Sequence, residues 1–117
     1  MDQETFDQAV AVVEKAIADL PKSARYIAAK FKREGITGVT KSASKCPAAV
    51  YLRRALDAAG FATVRVYAYG DEVEVMTAAG TVPGVFRGYK TVDGTKGLDD
   101  FVDAFDDGSK YQELAAS

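Results

Sequence analysis

Two glycine–apolar pairs, Gly35-Ile36 and Gly60-Phe61, constrain this 117-residue chain more than any other feature. Each follows a segment of helical apolar spacing. Each supplies what a helix needs in order to stop: a residue free to take positive φ, then an apolar side chain that folds back on the last turn. In this reading Ile36 returns to Phe31 and Phe61 to Leu56. The stops bound a second helix over about 22–34 and a third that begins at Pro47, whose missing N–H costs nothing at a first helical position.

Upstream, Phe6, Val10, Val13, Ile17 and Leu20 recur at spacings of three and four, so they form one stripe of a helix over about 4–19, which Pro21 ends. Thr5 followed by Gln8 suits a capping box. The second helix turns Ala24, Ile27, Ala28 and Phe31 inward, and the third buries Ala49, Leu52, Leu56 and Ala59, helped by Tyr51 and Ala55.

After Gly60 the apolar period changes from helical to alternating. Val64, Val66 and Ala68 share one face of a strand over 63–69, Gly70-Asp71 has the composition of a II′ turn, and Glu72 to Thr77 returns with Val73 and Val75 inward. The glycine-rich segment 79–97 reads as turns around a short third strand near Val85 to Val92. Leu98, Phe101, Val102 and Phe105 resume helical spacing, Gly108 ends it, and Tyr111 and Leu114 dock a final turn. The expectation is an α+β fold: three N-terminal helices, a β-hairpin or small antiparallel sheet, and a C-terminal acidic helix. With 48% hydrophobic residues and no linker or repeat, residues 1–117 form a single domain in this reading.

The chain has no histidine, which removes Ser-His-Asp and Cys-His pairs, His-containing zinc sites and the usual base poised near neutral pH. With Cys46 alone, neither an internal disulfide, a Cys-only metal site nor a CxxC pair can form. We therefore expect no cofactor, no metal and no conventional catalytic centre. The start MDQETFDQAV is polar and acidic where a signal peptide would be basic and then apolar, and no run approaches the roughly 18 apolar residues of a membrane span. The expected setting is cytoplasmic, with no membrane partner.

Charge is unevenly distributed. Residues 22–65 carry a balance of +8 and residues 70–117 one of −6, so the net −2 conceals a bipolar molecule, an asymmetry that can steer charged partners or equally reflect two solvated faces. The basic part contains GITGVTKS, Gly35 to Ser42, close to a phosphate loop but with Thr40 in place of the second glycine. It also leaves a helix where a phosphate loop leaves a strand, so we reject a nucleotide triphosphatase. A softer form remains: Lys41, Ser42, Ser44, Lys45 and Cys46 precede a helix N-terminus, where free N–H groups attract anions or a partner's carboxylates. The plain alternative is that Ser44 or Cys46 caps the helix and the lysines are solvated. The same dipole and lysines would lower the Cys46 thiol pKa, against the ordinary behaviour of a lone cysteine as a buried, inert residue.

Asp99, Asp103, Asp106 and Asp107 make an acidic strip on the last helix, either an interaction surface or a solvated face. Three helices followed by a hairpin is also the succession of a winged helix, in which Arg53 and Arg54, with Lys41 and Lys45, would face nucleic acid. Against it stand the long connection from Gly35 to Cys46 and an acidic hairpin tip at Asp71 and Glu72.

Taken together, GITG at 35–38, the helix CPAAVYL from Cys46, and the closing FVDAFDDG from Phe101 resemble short actinobacterial and actinophage proteins that share a G-I-x-G, C-P-x-A-x-Y-L and F-D-x-G core. The resemblance covers about residues 27–114 and implies a shared α+β fold and a phage origin, with no activity to carry over. The leading expectation is a small non-enzymatic binding or regulatory protein with a protein partner, a phage-encoded modulator of a host component. The alternatives are a winged-helix-like DNA binder and an anion-binding or thiol-dependent module centred on Cys46.

Overall fold

The computed structural model describes residues 1–77 and 84–116. Its elements run α1 (Gln3–Ala18), α2 (Ala24–Arg33), α3 (Pro47–Ala58), β1 (Val64–Ala68), β2 (Glu72–Thr77), β3 (Tyr89–Asp93) and α4 (Lys96–Asp106), closed by a 3-10 turn at Gln112–Leu114. The α+β class expected from the apolar periods is the one adopted.

Both glycine stops form. Gly35 takes φ +67 and the Ile36 N–H donates to the Phe31 carbonyl at 2.9 Å; Gly60 takes φ +89 and the Phe61 N–H donates to the Leu56 carbonyl at 2.8 Å. These are the six-to-one bonds of a Schellman ending, with Ile36 buried and Phe61 half-buried against the turns they close. The start of α1 differs from expectation: Asp2, not Thr5, is the cap, its carboxylate accepting the Thr5 N–H at 2.8 Å. A carboxylate at that position also meets the positive end of the helix dipole, which a threonine hydroxyl does not. Ala59 also departs, because it is the C-cap of α3 and lies exposed.

The three strands form an antiparallel meander in the order β1-β2-β3, with Val66 opposite Val75 and Val73 opposite Val92. The tip is the two-residue turn Gly70-Asp71, Gly70 at φ +99, closed by the Tyr69 N–H donating to the Glu72 carbonyl at 2.9 Å. The third strand begins at Tyr89, later than expected, because Gly88 is the residue that brings it in. A side chain there would sit 2.5 Å from the Phe6 ring, and the Gly88 carbonyl already accepts the Thr77 N–H at 3.1 Å. Residues 79–83 of the expected turn region lie outside the described residues.

α1 and α3 pack against each other and cover the inner face of the sheet, while α2 packs on α4 at the flank. Phe101 joins these layers: its ring meets Phe31 edge-on at 5.2 Å and stacks on Phe105 at 6.0 Å and Tyr111 at 5.3 Å. Tyr51 joins α3 to α1. Its hydroxyl donates at 2.7 Å to the carbonyl of Ala16, in the last turn of α1 where carbonyls lack helical partners. Burial, then the Asp19 and Glu34 carboxylates, push this hydroxyl up to about 12. Replacing Tyr51 with Phe keeps the ring against Phe31 and removes only the bond, so a loss of about 1 kcal/mol is expected in urea unfolding. An unchanged midpoint would mean that water serves the Ala16 carbonyl equally well.

Candidate binding surface

The basic loop between α2 and α3 is held on every side. Val39 N–H donates to the Lys45 carbonyl at 2.8 Å, Cys46 N–H to the Ser42 carbonyl at 2.9 Å, and Ala68 N–H of β1 to the Ala43 carbonyl at 2.8 Å. Lys41, at φ +57, donates its N–H to the Asp106 carboxylate of α4 at 2.9 Å. Gly38 exchanges bonds with the C-terminal segment, donating to Leu114 at 2.9 Å and accepting from Ala116 at 2.8 Å. Gly38 and Lys41 therefore tie the α2–α3 loop to α4 and the C-terminal segment, which is an architectural role.

That arrangement corrects the expected anion site. Pro47, Ala48 and Ala49 are buried, so the first turn of α3 offers no open cradle of N–H groups. Lys41 and Lys45 are exposed, with only the Lys41 backbone N–H bonded to Asp106, the Ser42 carbonyl serves Cys46, and Ser44 faces the edge of β1. Cys46 occupies the cap position without a side-chain cap bond and is 1% exposed. Burial pushes its thiol up, the Ala49 amide opposes this, and Asp106 adds to it, so desolvation overrides the lowering expected from the dipole and lysines. A disulfide reagent is expected to modify Cys46 only as fast as the protein opens, with a rate flat between about pH 6 and 8. Rapid labelling that climbs with pH would contradict the burial.

The winged-helix geometry does not form either. Gly70 at the hairpin tip is buried, and a side chain there would meet Asp99 at 2.8 Å and Val102 at 3.4 Å, so the tip is docked on α4 and is no free wing. Arg54 points back to α2, its guanidinium donating at 3.1 Å to the Glu34 carbonyl at the helix C-cap, where a cation suits the dipole. Arg53 is exposed beside β1. The acidic strip is likewise divided. Asp106 is committed to Lys41, and Asp107 accepts the Ser109 N–H at 2.7 Å, which holds its carboxyl low. Asp99 is pushed up by desolvation first, then by Asp103, Asp71 and Asp100, while Asp103 stays exposed. Among the described residues no cluster of His, Cys, Asp or Glu is arranged to hold a metal ion.

What the structure brings together instead is the outer side of the sheet. Arg65, Tyr69, Glu72, Tyr89 and Asp93 are exposed there, with Tyr67, Glu74, Met76 and Thr91 half-buried between them. Glu74 is the centre: the Tyr89 hydroxyl donates to it, and its carboxylate holds the Tyr69 hydroxyl above the ordinary range. At the β1 edge of this sheet lies a groove of about 330 Å³ lined by Ser44, Arg53, Arg65, Val66 and Tyr67. The alternation of Arg65, Tyr67 and Tyr69 puts them on one outer face in the sequence. Tyr89 and Glu74 join them only through strand register, which no local pattern reveals.

Compared with protein-family models, curated proteins and solved structures, the chain matches none. Among the described residues no helix is long and apolar enough to cross a membrane.

Proposed function

We propose that this chain is a small non-enzymatic binding or regulatory protein that engages a protein partner through the outer side of its sheet. The observation that carries this reading is the exposure of Tyr69 at 48% and Tyr89 at 60%, gathered around Glu74 on the face of the sheet opposite the one α1 and α3 cover. Tyrosine combines a large apolar ring with a polar tip, and such rings dominate the energetics of protein interfaces. The resemblance to actinophage proteins gives the reading its specific form, a phage-encoded modulator of a host component.

The test is affinity capture from an actinobacterial extract with the wild-type chain and with a Tyr69→Ser, Tyr89→Ser variant whose circular dichroism matches it. A partner held by the wild type and lost by the variant supports the reading; equal capture by both, or none by either, overturns it. Duplex DNA binding that weakens steeply with salt and disappears on Arg53→Ala, Arg54→Ala would replace it with nucleic-acid recognition.

A further inference from the structure

We infer that the outer edge of β1 at Val66 is a strand-addition site for an extended acidic segment of a protein partner, an inference that rests on the binding reading above and names its place and chemistry. Strand register locates the open backbone. Tyr69 turns its N–H toward β2 and Ala68 turns its own outward to Ala43, so by alternation Val64 and Val66 also face outward. Val64 N–H is taken by the Phe61 carbonyl at 3.0 Å, whereas among the described residues no group bonds the Val66 N–H. Ala43, in the turn before α3, takes the Ala68 N–H, so the open stretch of this edge is at Val66, where the groove lies.

Charge selects the occupant. Arg65 stands on the outer face of the sheet and Arg53 on α3 overhangs the other side of the same groove, and among the described residues neither forms an ion pair. Successive residues of an added strand point to opposite faces, so two consecutive carboxylates would meet the two guanidiniums while the backbone pairs with Val66. The other sheet edge, at β3, borders a cavity of about 470 Å³ that mixes Glu14 and Asp93 with Lys90 and so favours neither sign. By the same alternation the β3 edge turns the N–H groups of Tyr89, Thr91 and Asp93 outward, so the single sign of charge is what distinguishes β1.

The experiment titrates the full chain with a short peptide of Val-Glu-Glu repeats, followed by amide chemical shifts and hydrogen exchange at Val66. Expected are a shift and slowed exchange of the Val66 amide, weakened by salt, absent with Val-Lys-Lys repeats, and about tenfold weaker binding in an Arg53→Glu, Arg65→Glu variant. An unperturbed Val66 amide at millimolar peptide, or equal binding of the lysine peptide, overturns the site. If the partner captured in the previous experiment is lost by the tyrosine variant but kept by the arginine variant, the edge proposal fails while the binding reading stands.

Discussion

A Gly38→Ala variant is expected to lose about 3 kcal/mol or more of unfolding free energy, although it adds one methyl group. Gly38 is buried, and its added Cβ would lie 2.4 Å from the Pro47 nitrogen, 2.5 Å from the Cys46 carbonyl carbon and 2.5 Å from the Lys45 oxygen. All three are backbone atoms, so no rotamer change relieves the contact. The loop must instead separate from the start of α3, which breaks the bond from Val39 to Lys45 and disturbs both bonds between Gly38 and the C-terminal segment. At about 1 kcal/mol for each bond, with the cost of the overlap added, the loss is a large part of a total stability of about 5–15 kcal/mol. Thr37→Ala, at the exposed neighbouring position, should change stability by less than about 0.5 kcal/mol. Urea unfolding of the pair checks this, and hydrogen exchange should show the Ala116 amide released first in Gly38→Ala. A wild-type midpoint in that variant would refute the close packing.

Phe101→Ala is the second large loss, about 3–5 kcal/mol in the same measurement. Phe101 is fully buried and touches aromatic rings from α2, from its own helix and from the C-terminal turn through Phe31, Phe105 and Tyr111. Truncation leaves a cavity where these elements meet, and the surrounding backbone is too constrained by its hydrogen bonds to collapse into it. Phe101→Leu keeps most of the apolar burial and forfeits the ring geometry, worth about 0.5–1.5 kcal/mol for each aromatic pair. The order wild type, Leu, Ala in midpoint is the expected result; an Ala variant as stable as Leu would place the join between layers elsewhere.

The two variants act through different parts of the design. Phe101 is an ordinary core residue made central by its position, whereas Gly38 holds a place where two backbones touch. That second kind of constraint recurs around the α2–α3 loop: Gly35 ends α2, Ile36 is buried behind it, Gly38 admits Cys46-Pro47, and Asp106 accepts the Lys41 N–H. A loop rich in lysine and hydroxyl groups before a helix suggests anion chemistry. Here its polar backbone is consumed internally, and its cysteine is a buried apolar residue.

The sequence by itself determined where helices stop and which side chains point inward, because glycine φ freedom, proline geometry and apolar period are local properties of the chain. Phe31, Leu52, Leu56, Val73 and Phe101 are buried as their spacing requires. It missed the Asp2 cap and the late start of β3 at Tyr89, where an N-terminal carboxylate and a glycine packed on Phe6 outweighed local propensity. Only the tertiary structure decided which polar groups remain free. Whether the Lys41 N–H is bound to Asp106, Arg54 to the Glu34 carbonyl, or the Val66 N–H to no group among the described residues depends on distant parts of the chain brought close by folding. A functional surface is what remains after those internal bonds are made.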